Sequence, residues 1–346
     1  MNTVNKASAL VVRRGRFSAR LERRTLWFLV VMIVVIAGLT LLGLCYGAAW
    51  ASPARVFAAL TGSGGGPGVV IREWRLPRVL AGLVFGAALG LAGAIFQNIT
   101  RNPLGSPDVI GLDAGAYTGA LVAITVLSGT STQLTIGSVL GGVITAAIVY
   151  ALSLGGGLSG LRLIVIGIAV NAMLTAFNSW IVLRAELEIA IAAVGWNAGS
   201  LNGIGWDDVA IPFGVLAVLF VVLFTRAPAL HQAALGGALA VTTGVRWDRL
   251  RLVLVLIGVG CTATVTAVAG PIAFIALAAP QIGRRLARTP GVSLLPAALT
   301  GAVLLTGADL AAQMLLAPEA LPVGVVSTVI GGGYLIWLLT KEVRRT

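Results

Sequence analysis

The sequence predicts an all-α protein that crosses a membrane repeatedly, through ten transmembrane helices. Three observations carry this reading. The 346 residues are 58% hydrophobic and only 10% charged, with a mean hydropathy of +0.99. A soluble domain carries about 25% charged residues, so this much apolar surface cannot be hidden in one soluble core. Windows between charge clusters give ten candidate spans, at 26–48, 76–99, 109–128, 134–153, 162–183, 209–225, 250–269, 272–287, 294–316 and 324–340. Most approach the length of about 20 apolar residues that a helical span requires. Glycine is abundant, at 45 residues. That suits close helix–helix approach where lipid supplies no hydrophobic drive for association. The expected organisation is a basic cytoplasmic arm at 1–25, a single transmembrane domain at 26–340 with a connection at about 229–248, and a cytoplasmic tail at 341–346.

Taken in order, the first span follows a basic stretch, and Ala49-Trp50-Ala51 has the small-residue pattern of a leader cleavage site. The apolar run from Leu26 to Gly47 exceeds the 7–15 residues of a signal core, so a retained span is expected. The second span opens at Trp74-Arg75-Leu76-Pro77-Arg78, with Arg72 just before it. Proline pre-sets the first turn of a helix. The three arginines suit either carboxylates of a partner, through charge-assisted pairs, or lipid phosphates. The second span ends in "FQNITRNPLGSPD", residues 96–108. Pro103 and Pro107 hold Asn102 and Ser106 away from helix, so the backbone must find other partners there. Irregular backbone at membrane depth is tolerated only inside protein or beside a wet cavity. Gln97, Asn98 and Asn102 can supply those partners, and the turn is either interfacial or a working part. In the fifth span Asn171, Thr175 and Asn178 recur at helical spacing and share a face, as interhelical glue or as the lining of a path.

An outer segment at 185–208 reads as a short interfacial helix and a turn. The connection at 229–251 is too polar and glycine-broken to span and too long for a minimal turn, so it either docks a partner or is passive. Gly270-Pro271 separates the seventh span from a short eighth one, which Pro280 interrupts. With the N-terminus inside, the inner segments carry 19 of the 24 Lys and Arg residues and the outer ones five, Arg55, Arg72, Arg75, Arg78 and Arg184. This asymmetry follows the positive-inside rule and places both termini in the cytoplasm. It also accounts for the net charge of +12 without nucleic acid. The basic arm is expected to meet anionic membrane lipid.

Several function classes are disfavoured. Two cysteines and one histidine make no metal cluster, and no cofactor or metal site is expected. Only Lys6 and Lys341 occur, neither in a GxxxxGK[ST] loop, so the chain has no phosphate cradle of its own for ATP. Ionisable residues within spans mark ion relays, and Asp309 is the clearest acidic one. An ion-coupled secondary transporter is therefore a weaker reading. An intramembrane enzyme lacks any paired constellation to carry a reaction.

Together these stretches resemble the FecCD family of permeases, the membrane subunits of ABC importers for iron–siderophore complexes, haem and cobalamin. The resemblance runs from about 52 to 345. It rests on "RLPR" at 75–78, "GAALGLAGAIFQNITRNPLGSP" at 86–107, "AGPIAFIALAAPQIGRRLA" at 269–287, "LLPAALTGAVLL" at 294–305 and "LPVGVVSTVIGG" at 321–332. Within the family, "RNPLGSPDVIG", "AFNSWIVL", "GWNAGSLNG", "LAAQMLL" and "IGGGYLIWLL" are most similar to a permease subunit of ferric-enterobactin-type importers. The resemblance implies a BtuC-like type II ABC importer permease of the bacterial inner membrane. Its implied partners are a second homologous permease in a heterodimer, two ABC ATPase subunits and a periplasmic or lipoprotein siderophore-binding protein. The implied cargo is a ferric siderophore of the catecholate type, with ATP hydrolysed by the partner chains. A homodimeric cobalamin or haem permease is the alternative.

The resemblance also implies roles. Arg72, Arg75 and Arg78 would dock the binding protein, and Gln313 stands where the family has a further arginine. Asn102 and Leu104 would form the cytoplasmic gate. Gln97, Asn98, Asn171, Thr175 and Asn178 would line the translocation path. Leu235, Gly236, Gly237, Ala238 and Gly244 would couple to the ATPase. Two departures stand out: the coupling segment lacks the acidic residues that often follow its glycine, and Pro280-Gln281 replaces a frequent Pro-His.

Overall fold

The computed structural model of the protein describes residues 9–14, 17–62, 65–127, 129–153, 160–233, 242–289, 293–317 and 319–343. The bundle is all-helical. It comprises α1 (Arg23–Cys45), α2 (Pro53–Leu60), α3 (Gly65–Val69), a π-helical turn (Val70–Arg75), α4 (Leu76–Thr100), α5 (Leu112–Val126) and α6 (Ser131–Ser153). It continues through α7 (Gly160–Arg184), α8 (Leu187–Asn197), α9 (Trp206–Ala233), α10 (Trp247–Ala269), α11 (Ile275–Ala287), α12 (Leu294–Leu315) and α13 (Val323–Val343). Ahead of the bundle, the arm contains an antiparallel hairpin, β1 (Ala9–Arg14) with β2 (Phe17–Glu22), whose register sets Ala9 opposite Glu22 and Arg14 opposite Phe17.

Among the described residues, seven helical stretches are long and apolar enough to cross a membrane: Arg23–Cys45, Gly65–Thr100, Thr132–Ser153, Leu161–Arg184, Trp206–Ala233, Trp247–Ala269 and Leu294–Leu315. The other three expected spans fall on shorter pieces. These are α5 with 15 residues, α11 with 13 and the apolar part Val323–Trp337 of α13.

Helix α4 is the centre of the molecule. It is apolar nearly all round and buried along most of its length, as a helix with no solvent face must be. It packs against α12, α10, α11, α9 and α7, while α5 and α6 form a second close pair that α10 joins to the rest. The α4–α12 crossing depends on glycine. A Cβ on Gly86 would meet the carbonyl of Gly301, and one on Gly90 the carbonyl of Ala297. Small residues at four-residue spacing let the backbones touch, which substitutes for the missing hydrophobic drive in lipid. Phe85, Leu89, Ile95 and Phe96 fill the space on either side of that seam.

Two expectations about proline change. Pro280 does not interrupt its helix but lies inside α11. Having no N–H, it leaves the carbonyl four residues earlier without its helical donor. That carbonyl, of Ala276, is where the backbone of Gly93 on α4 comes closest, so the neighbouring helix covers the defect. Pro212 and Pro228 similarly lie within α9, which runs to Ala233. The connection expected from 229 therefore begins as helix.

Candidate functional site

The polar turn at 101–111 is built from the end of α4. Arg101 adopts a left-handed conformation with φ 52°, which ends the helix at a position where glycine is more usual. Within the last turn, Thr100 Oγ1 donates to the Phe96 carbonyl at 2.7 Å and Asn98 Nδ2 to the Ala94 carbonyl at 2.6 Å. Asn102 then folds the lip. Its Oδ1 accepts the Leu104 amide at 2.9 Å, and its carbonyl accepts the Gly105 amide at 3.0 Å. This is the Asx-type turn that asparagine favours. Leu104 sits at the tip, 47% exposed.

Behind the lip, the half-buried amide of Gln97 and the buried amide of Gln281 join α4 to α11. Gln97 Nε2 donates to the Leu277 carbonyl at 3.0 Å, and Gln97 Oε1 accepts from Gln281 Nε2 at 2.7 Å. Gln281 Nε2 also donates to the Pro103 carbonyl at 3.4 Å, and Arg284 donates to Gln281 Oε1 at 3.2 Å. Gln97, Asn98, Asn102, Trp247, Gln281 and Arg284 line a cavity of about 260 Å³ here. The far end of the turn is anchored as well. Phe274, in a left-handed conformation with φ 69°, begins α11, and its amide donates to Asp108 Oδ2 at 3.1 Å. Burial pushes the Asp108 carboxyl up to about 6, against the opposing pull of backbone hydrogen bonds from Phe274 and from its own amide. The next acid, Asp113 on α5, accepts from Thr266 Oγ1 on α10 at 3.3 Å.

At the opposite end of α4, the side chains of Arg75 and Arg78 are committed to the fold. Arg75 donates to the carbonyls of Leu44 and Cys45, both at 3.0 Å, and of Ala49 at 2.8 Å. It thereby caps the C-terminus of α1, where a cation also meets the negative end of the helix dipole. Arg78 makes a two-pronged pair with Asp309 of α12, Nε to Oδ2 at 2.9 Å and an Nη to Oδ1 at 2.8 Å. Gln313 Nε2 adds a bond to Asp309 Oδ2 at 2.8 Å, and Tyr46 OH donates to the Gln313 carbonyl at 3.2 Å. The Arg72 carbonyl accepts from Trp206 Nε1 at 2.9 Å. These groups border an open cleft of about 1460 Å³ that Trp50, Arg55, Trp74 and Asp207 also line.

The remaining expected residues are dispersed. Asn178 is buried and serves packing: its Nδ2 donates to the Ala114 carbonyl at 3.0 Å and its Oδ1 accepts from Thr118 at 2.7 Å. Thr175 is exposed, and Asn171 lies partly buried against Gly111. Leu235, Gly236, Gly237 and Ala238 fall outside the described residues, whereas Gly244 is described and takes φ 86°. Sequence reasoning missed Asp108 and Asp113 as buried acids, and the link from Gln281 to Gln97. The only hint was the presence of polar side chains in otherwise apolar runs.

A helical bundle built on glycine-mediated crossings, with a hydrogen-bonded polar turn at one end and a charged cleft at the other, defines a polytopic membrane protein rather than a simple anchor. The chain belongs to the FecCD transport family, whose model matches residues 29–341. It is 47% identical to the ferric enterobactin transport system permease protein FepG of Escherichia coli (strain K12), over 92% of this chain and 96% of that protein. It is 32% identical to the Fe(3+)-citrate import system permease protein YfmE of Bacillus subtilis (strain 168), over 95% of this chain and 99% of that one. Among solved structures, an ABC transporter of the metal-chelate type, in an inward-facing conformation, superposes with a TM-score of 0.79 at 25% identity, covering 91% of this chain and 99% of that chain.

Proposed function

We propose that this chain is the membrane-spanning permease subunit of an ABC importer that carries a ferric siderophore of the catecholate type into the cytoplasm. What supports this most is the 47% identity to a ferric enterobactin permease, sustained over nearly the whole of both chains. In this reading the protein is a multi-pass protein of the bacterial inner membrane with ten spans and cytoplasmic termini. It pairs with a second, non-identical permease and two ATPase subunits, which hydrolyse the ATP. A binding protein delivers the cargo to the outer face.

The residues take these roles. Asn102 and Leu104 form the cytoplasmic gate, and Gln97, Asn98, Asn171 and Thr175 border the path, with Asn178 fixing α7, the helix that carries Asn171 and Thr175. Leu235, Gly236, Gly237, Ala238 and Gly244 lie in the segment that couples to the ATPase. Arg72, Arg75 and Arg78 stand at the outer face, where the binding protein docks. Because Arg75 is bonded to neutral backbone carbonyls whereas the Arg78 charge is balanced by Asp309, long-range attraction of an acidic surface falls to Arg72 and Arg75.

The test is reconstitution in proteoliposomes with the ATPase, the second permease and the binding protein. ATP-dependent accumulation of radioiron-labelled ferric enterobactin is expected. Accumulation by this chain alone, driven only by an ion gradient, would overturn the reading. Co-purification of two copies of this chain with no second permease would favour a homodimer instead.

A further inference from the structure

The lip at 101–111 touches α11 at two separate points, through the side chains of Asp108 and Gln281. At one, Asp108 Oδ2 accepts the amide of Phe274, the residue that begins α11. That amide belongs to the orphan donors of a helix start, and a carboxylate there also meets the positive end of the helix dipole. At the other, Gln281 Nε2 reaches the Pro103 carbonyl and Gln97 Oε1 together. Gln281 is only 4% exposed, and Arg284 holds its remaining oxygen. Both amide protons and the carbonyl of Gln281 are thus engaged, so its orientation is fixed. Phe274 and Gln281 are seven residues apart, about 10 Å along a helix. One tether would leave the lip free to pivot on α11, whereas two tethers at that separation remove the pivot. Gln97, which shares the Gln281 amide with the lip, and the close approach of Gly93 to the Ala276 carbonyl bind α4 into the same unit.

We infer that Asp108 and Gln281 are positioning residues that clamp the gate lip to α11, so that the lip, α11 and the end of α4 move as one body when the passage opens. This deepens the gate role given to Asn102 and Leu104 above, and rests on it. The consequence is specific. The lip does not flap as a loop; gating displaces a rigid wedge relative to α6.

The experiment measures distances between spin labels in the complete importer. Both native thiols, Cys45 and Cys261, are buried, so labels go to cysteines introduced at exposed sites: Leu104 on the lip, Leu286 on α11 and Leu152 at the end of α6. Spectra are recorded without nucleotide and with a non-hydrolysable ATP analogue. The clamp predicts a narrow Leu104–Leu286 distribution that is the same in both states, while the Leu104–Leu152 distance shifts. Gln281→Leu and Asp108→Ala should each broaden the Leu104–Leu286 distribution at least twofold. Asp108→Asn, which keeps an acceptor for the Phe274 amide, should leave it narrow, a rescue that general loosening of the fold would not give.

A Leu104–Leu286 distance that changes with nucleotide as much as Leu104–Leu152 does would overturn the clamp. So would a narrow distribution in both Gln281→Leu and Asp108→Ala. If neither distance responds to nucleotide, it is the gate reading that fails, and the breadth in those two variants still decides the clamp.

Discussion

Two buried charges show how single residues in this chain carry more than the sequence displays. Arg78 and Asp309 face each other across the α4–α12 seam, with side chains 17% and 6% exposed. Removing one partner strands the other, which costs about 3–5 kcal/mol in buried pairs. Arg78→Ala should therefore sharply lower the thermal denaturation midpoint in detergent. The double replacement Arg78→Met with Asp309→Leu, which removes both charges at similar volume, should recover most of that loss. Asp108 behaves differently, because its carboxyl is raised from its ordinary 3.8 to about 6 by burial. The fold favours its protonated form. Its contribution to stability is complete below the unfolded value and is lost as pH rises through about 6. A two-unit shift corresponds to on the order of 1–3 kcal/mol. The wild-type melting temperature should fall between about pH 5 and about pH 7 by more than that of Asp108→Asn, which has no proton to lose there. Equal slopes in the two proteins would refute this origin of the pH dependence.

Among the elements, the glycine seam makes the sharpest prediction. A Cβ on Gly86 meets the Gly301 backbone, whereas one on Gly307 of the same α12 meets nothing within 4 Å. Gly86→Val should force the helices apart and cost about 1–3 kcal/mol or more, seen as lost yield of folded protein; Gly307→Ala should be silent in the same assay. The same elements show what was legible beforehand. The helices and their order were readable because hydropathy over some twenty residues is a local property, although only seven of the described stretches are long and apolar enough to cross a membrane. The lip was readable too, because Pro103 and Pro107 restrict their neighbours whatever the context. Pro280 misled, since the carbonyl it leaves without a helical donor is covered by Gly93 of another helix, a tertiary event. The end of α9 misled for a related reason: polar residues after Pro228 read as loop, yet the helix persists to Ala233. Nor could spacing tell that Asn178 is spent on Ala114 and Thr118, or that Arg75 turns inward to cap α1. Side chains of one type serve as lining, glue or cap according to what faces them.

For the whole molecule, the question is what supplies the energy of transport. A proton-coupled carrier needs acids that take up and release protons within the bundle, facing a path. Asp309 is held by two hydrogen bonds from Arg78 and one from Gln313, so its oxygens are committed to the α4–α12 contact rather than to a path. Asp113 lies on α5 against Thr266 of α10, within the packed interior rather than on the lip cavity. Neither is placed as a relay, and Asp108, whose carboxyl is raised to about 6, is tied at the lip to the Phe274 amide. In proteoliposomes containing the complete importer, a protonophore should therefore leave the initial rate of ATP-driven ferric enterobactin uptake within about twofold of its value in intact vesicles, since nucleotide binding has only to supply the several kcal/mol that moves a two-state gate from mostly closed to mostly open. Asp113→Asn should retain that ATP-driven uptake as well. A collapse of uptake in either case, with ATPase activity unchanged, would mean that a proton gradient does part of the work and that one of these buried acids carries it.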